Sequence, residues 1–125
     1  MNLLLDTHTL LWWLDDYPSL SKKARMNISD GRNSVFVSAA VIWEIEIKKA
    51  LGKLEIPSNF RQALAQQAFE MLPVTVEHAH AVGNLPAYHR DPFDRMLIAQ
   101  AQVEGFTVVT RDTTFGRYKI SIIQA

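Results

Sequence analysis

The sequence predicts an α/β fold, a three-layer α/β/α sandwich around a mostly parallel sheet of four to five strands, and three observations carry that expectation. Short β-rich runs alternate with longer stretches of helical periodicity along the chain. One of those runs, Leu3-Leu4-Leu5, is continuously apolar, as strands covered on both faces are, and another, Phe106-Thr107-Val108-Val109-Thr110, is short and β-rich. Both lead into aspartates, Asp6 and Asp112, at the place where parallel strands of α/β folds present ligand-binding groups.

Residues 2–6 form the first strand, expected at the sheet centre. Thr7 to Asp15 reads as a helix with Leu10, Trp13 and Leu14 on one face; it stops before Pro18 because the residue preceding proline is pushed out of helical space. Ser19-Leu20-Ser21 opens a second helix with a weak stripe of Ala24 and Ile28, and Asp30-Gly31-Arg32-Asn33 turns the chain. Ser34-Val35-Phe36-Val37 is the second strand. Ser38 is placed to cap a helix from Ala39 to Leu51, which Gly52 stops. After the connection Lys53 to Pro57, one amphipathic helix is expected over Ser58 to Leu72, with Phe60, Leu64 and Ala68 on a common face. Pro73-Val74 is then the weakest strand, and Thr75 can cap a short helix over Val76 to Val82. The best-marked element starts at Asp91-Pro92-Phe93-Asp94. Asp91 can cap it, Pro92 suits its first position, Phe93, Leu97 and Ala101 form its stripe, and Gly105 ends it. Phe115 and Gly116 make a turn, and Tyr118 to Ile123 alternates well enough for a last strand.

At 125 residues the chain fits one domain, residues 1–125. Its 13 basic and 13 acidic residues cancel, so a nucleic-acid partner has to be argued from local clusters. Cysteine is absent, which removes disulfides, thiolate catalysis and cysteine-ligated zinc. The N-terminus lacks a basic region and a cleavage site and carries Asp6 within its apolar run, and no stretch reaches membrane-spanning length. A soluble cytoplasmic protein with no membrane partner is the expectation. No G-x-S-x-G elbow or P-loop occurs.

Four acids occupy telling places: Asp6 after the first strand, Glu44 inside a helix, Asp94 in the first turn of another, and Asp112 after a later strand. Each has an ordinary structural reading: Asp6 and Asp94 serve helix starts, Asp112 shapes a turn, and Glu44 pairs with Lys48 one turn on. Glu44 is the least ordinary, because it interrupts Val41-Ile42-Trp43 and Ile45. A buried acid needs a positive partner, an upward pKa shift or a metal. With a switch point between the first and fourth strands, Asp6 and Asp112 emerge side by side and the Asp94 helix starts nearby. Oxygen ligands alone select Mg²⁺ or Mn²⁺ over zinc.

The segments LLLDTHTLLWWL, VSAAVIWEIEIKKALGKL, LPAYHRDPFDRMLIAQA and VVTRD together resemble PIN-domain nucleases, specifically the VapC-type toxins of bacterial toxin–antitoxin pairs. The resemblance covers essentially the whole chain. It implies a metal-dependent endoribonuclease that cleaves RNA and is neutralised by a cognate antitoxin, with Asp6, Glu44, Asp94 and Asp112 as the acidic catalytic and metal-holding positions. Asp94 is preferred over Asp91 because it matches the family's DR pair. A non-catalytic PIN-fold module that binds a protein partner is the rival reading.

His78 and His80, two apart, cannot share a metal in the i, i+4 manner, and His8 and His89 carry little weight beyond a chance of touching phosphate. Among Arg90, Arg95, Arg111, Arg117 and Lys119, surface charge and RNA contact are about equally supported, with Arg95 and Arg111 the candidates for RNA. Trp12, Trp13 and Trp43 are core or interface residues. Trp12, Trp13, Leu20 and the Phe60 helix are expected to leave an apolar surface for a homodimer and an antitoxin.

Overall fold

The structure is a computed structural model that describes all 125 residues. Its centre is the element hardest to cover, β1 (Asn2–Leu5), where Leu3, Leu4 and Leu5 lose all exposure. Such a strand needs neighbours on both edges and helices on both faces. It has β2 (Ser34–Ser38) on one edge and β4 (Thr107–Thr110) on the other, both parallel to it. The edge strands β3 (Phe69–Leu72) and β5 (Ser121–Gln124) complete five parallel strands in the order β3-β2-β1-β4-β5. The order reverses between β1 and β4, so the crevice for a ligand opens beyond their C-terminal ends.

Helices α1 (Thr7–Leu14), α2 (Lys22–Ser29), α3 (Ala39–Ala50), α4 (Phe60–Ala65), α5 (Val76–Val82) and α6 (Pro92–Glu104) flank the sheet, giving the expected α/β/α sandwich. Their starts are fixed by the residues the sequence offered. The Asp6 side chain accepts the Thr9 N–H at 3.0 Å and Ser38 accepts that of Ala40 at 3.0 Å. Asp91 accepts two, from Phe93 at 2.8 Å and Asp94 at 3.0 Å, with Pro92 in the first helical position. Gly105 ends α6 in the left-handed region at φ 75°, where a side chain would be strained. One hydrophobic cluster, including Leu4, Leu10, Val37, Ile45, Leu97, Val108 and Phe115, unites strands and helices.

Three expectations are corrected. The helix over Ser58 to Leu72 is two elements, because α4 stops at Ala65 and Phe69–Leu72 pairs with β2 from Val35↔Phe69 to Ser38↔Leu72. Pro73-Val74 therefore lies beyond the strand; proline lacks the N–H that a ladder needs. The last strand starts at Ser121, because Thr113–Arg117 forms a 3₁₀ turn that folds Phe115 into the core and Tyr118 against it. The apolar surface has two parts: Trp12 and Phe60 line one groove with Leu11, Leu14, Leu54 and Ile56, and a second surrounds Trp43. Leu20 and Phe60 are buried and Trp12 and Trp13 half-buried, whereas Trp43 is 63% exposed. Trp43 lines a groove of about 540 Å³ with Ala40, Val74, Val82, Phe93 and Met96. No helix is long and apolar enough to cross a membrane.

Candidate metal centre

Beyond the C-terminal ends of β1 and β4, one hydroxyl links two of the predicted acids. Thr110 donates from Oγ1 to Asp6 Oδ2 at 2.6 Å and accepts the Asp112 N–H at 3.0 Å. Asp6 is thereby held at both oxygens, one by the α1 start and one by Thr110, and it is buried to 7% exposure. Asp112 receives the Thr114 N–H on Oδ1 at 2.9 Å.

Asp94 enters from the first turn of α6. Burial raises its carboxyl pKa, the charge of Asp91 adds to this, His89 partly opposes it, and Asp6 and Glu44 push the same way, so the group is lifted to about 7. Asp112 is held below the usual carboxylate range: partial burial pushes it up, but the Thr114 backbone N–H and His89 outweigh that. These opposite shifts separate two acids that share a neighbour. That neighbour is His89, whose Nε2 lies 2.7 Å from Asp112 Oδ2 and 3.1 Å from Asp94 Oδ2. Ligand atoms of His89, Asp94 and Asp112 lie within 4.8 Å of one another, the grouping in the fold that could grip one ion.

Glu44 is buried at 5% exposure and has two partners. Thr7 donates to its Oε1 at 2.5 Å, and Lys48 reaches Oε2 at 2.6 Å, which raises the lysine's pKa. The pairing with Lys48 is the ordinary structural reading of Glu44, yet its charge is still felt at Asp94.

With this geometry in hand, the sequence matches the PIN domain family over residues 3–120. The chain is a PIN domain. Solved structures agree on the fold. It superposes on VapBC2 from Rickettsia felis, bound to a DNA fragment from its promoter, with a TM-score of 0.76 at 16% identity, covering 98% of each chain. FitAcB from Neisseria gonorrhoeae gives a TM-score of 0.70 at 20% identity over 98% of this chain and 96% of that one. A toxin–antitoxin complex from Klebsiella pneumoniae gives 0.64 at 17% identity over 98% and 96%. No curated protein sequence matches at a comparable level.

In this PIN domain the predicted acids thus divide. Asp94 and Asp112 meet directly around His89; Asp6 is tied to Asp112 through Thr110; Glu44 stands behind with Lys48. The sequence offers His89 little weight beyond a chance of touching phosphate, and the one signal available is its place two residues before the α6 cap. The arginines expected to touch RNA have intramolecular partners. Arg95 donates to the carbonyls of Pro86, His89, Val82 and Leu85. Arg111 binds the carbonyls of Ala125 and Ser19 and stacks 4.3 Å over Trp12. Asp91 is spent on the helix start, as expected.

The donor set fits a hard divalent cation. Partly buried carboxylates crowd until one of them reaches a pKa of about 7, and Lys48 is already engaged by Glu44, so positive charge is what the site is short of.

Proposed function

We propose that this PIN domain, residues 1–125, is a Mg²⁺- or Mn²⁺-dependent endoribonuclease and the toxin of a toxin–antitoxin pair, acting in the cytoplasm. The observation that carries the reading is the meeting of Asp94, Asp112 and His89, with Asp6 tied in through Thr110, at the switch-point edge of a PIN domain. A buried acid cluster of this kind disfavours folding and persists where it has a functional use. Asp6, Asp94 and Asp112 would hold the cation, and Glu44 would complete the set directly or through water. A bound cation supplies an activated attacking water and neutralises the leaving oxygen in an in-line displacement of a phosphodiester.

The chain's own residues supply the frame. Thr110 and the α1 start hold Asp6 rigidly, Thr7 and Lys48 hold Glu44, and Arg95 fastens the loop that carries His89. Exposed Arg90, beside His89 and Asp91, is available for phosphate, whereas Arg95 and Arg111 contribute through the loops they fasten. Partners are proposed from the neighbours: the Klebsiella structure is a toxin–antitoxin complex, which supports an antitoxin here. The Trp43 groove supports a homodimer, since so apolar a surface is costly to leave in water.

The test is cleavage of an RNA pool by purified protein with and without EDTA, alongside Asp94→Asn. Cleavage lost in both cases supports the nuclease. Cleavage that persists in EDTA rejects a metal mechanism, and partner binding without any cleavage in Mg²⁺ or Mn²⁺ favours the non-catalytic module.

A further inference from the structure

A histidine within 3.1 Å of two aspartates passes for a metal ligand on distance alone. We propose instead that His89 is a positioning residue that donates Nε2–H to Asp112 and aims that carboxylate at the cation without touching the cation itself. This rests on the metal-dependent reading above and concerns how the same site is built.

The argument is one of donors and acceptors. The Asp91 backbone N–H donates to His89 Nδ1 at 3.2 Å, so Nδ1 must be bare. A neutral imidazole with a bare Nδ1 carries its proton on Nε2, and a nitrogen that binds metal must have lost its proton. Nε2 therefore donates to Asp112 Oδ2 at 2.7 Å. With Oδ1 also taking the Thr114 N–H, one lone pair on each Asp112 oxygen stays free for a cation.

Reversal would require the ring to turn over or withdraw, and its surroundings oppose both. The ring stands edge-on to Phe115 at 5.7 Å and 87°. Its main-chain N–H donates to Tyr118 Oη at 2.9 Å, while Tyr118 donates to the Pro86 carbonyl at 2.7 Å. Its own carbonyl takes Arg95 Nη1 at 3.2 Å. Main chain and ring are thus held by partners on α6, the 3₁₀ turn and the preceding loop. Partners that orient a ligand through its second atom matter by about 10–100-fold in metal affinity.

Two measurements test this. In a ¹⁵N–¹H long-range correlation spectrum of the wild-type protein, His89 is expected to show a protonated Nε2 and a bare Nδ1 both before and after saturation with Mg²⁺. An Nε2 that loses its proton on Mg²⁺ addition makes His89 a ligand and overturns the proposal. In Mn²⁺ titrations, His89→Ala is expected to weaken binding about 10–100-fold, and His89→Gln, which keeps an N–H donor at similar reach, to recover most of it. Wild-type affinity in His89→Ala, or no recovery in a folded His89→Gln, also overturns it while leaving the metal reading in place. A wild-type protein that binds neither Mg²⁺ nor Mn²⁺ removes the metal reading, and this proposal with it.

Discussion

Asp94→Asn is expected to stabilise the metal-free protein, although Asp94 sits in the first turn of a helix, where a carboxylate is ordinarily favourable. Two effects compete. The helix terminus favours the charge by about 0.3–1 kcal/mol. Burial, then Asp91, with partial relief from His89 and further repulsion from Asp6 and Glu44, lifts the group from 3.8 to about 7. A rise of that size corresponds to roughly 4 kcal/mol between the two protonation states, so burial and repulsion win. The sign follows from proton counting. Between the unfolded and folded pKa values the native protein holds a proton that the unfolded chain has lost, so stability falls as pH rises and the loss is complete above pH 7. Because the shift is shared within the cluster, removing one charge is expected to recover about half of it, about 2 kcal/mol at pH 8. The gain should fall to less than half of that at pH 5 and vanish below pH 4. For a domain of this size it corresponds to roughly 8 °C in melting temperature. Mg²⁺ at a hundred times its Kd should add about 2.7 kcal/mol to wild type and little to the variant. Thermal melts at pH 5 and pH 8, with and without Mg²⁺, read all of this. If Asp94→Asn melts at or below wild type at pH 8, or gains equally at both pH values, Asp94 is only a helix-start residue.

Three further outcomes are expected. Asp6→Asn should stay folded, since its remaining side-chain oxygen still accepts the Thr9 N–H, while RNA cleavage falls by at least about two orders of magnitude, the scale of losing one charge-stabilising group. Arg95→Ala should lower stability in urea by about 3 kcal/mol, and Arg95→Lys should restore only part, because four carbonyls shared between Nη1 and Nη2 need the branched guanidinium. Equal stability would return Arg95 to the pool of free surface charges. The proposed homodimer is expected to sediment as such at micromolar concentration and Trp43→Glu as a monomer, with stability changed by no more than about 0.5 kcal/mol because the ring is mostly exposed.

Where the chain punctuates itself locally, its sequence was readable. Asp6, Ser38 and Asp91 each cap the helix they precede, Pro92 takes the first turn, and Gly105 stops α6 in the left-handed region. The continuous apolar run Leu3-Leu4-Leu5 marked β1 as the central strand, and the supposed switch point between the first and fourth strands is where the order reverses. Strand β3 was hidden because Phe60, Leu64 and Ala68 keep a helical spacing past the true end of α4, and no glycine marks that end. What makes Phe69–Leu72 a strand is its pairing with β2, more than thirty residues away, a non-local term invisible to local pattern. The site divides in the same way. The acids were legible from their places at strand and helix ends, and Glu44 with Lys48 from their four-residue spacing. His89 was not, because its partner Asp112 lies 23 residues on and reaches it only through the fold. The carbonyl partners of Arg95 and Arg111 were equally hidden, because sequence shows the charge of an arginine and conceals what the fold sets beside it.

The β1–β4 pairing also sets an order in time. Leu3 pairs with Thr107, so the central hydrogen bonds of the sheet must close a loop of about a hundred residues before they return any stability. During synthesis Asp6 is made about a hundred residues ahead of Thr110 and Asp112 and waits without them. A chain interrupted before β4 therefore has no centre to assemble, and a fragment ending at Gly105 is expected to bind no Mn²⁺ in titrations that saturate the full chain. On the proposed nuclease reading, the topology acts as a delay: a complete site arrives only once β4 and the turn after it have been made.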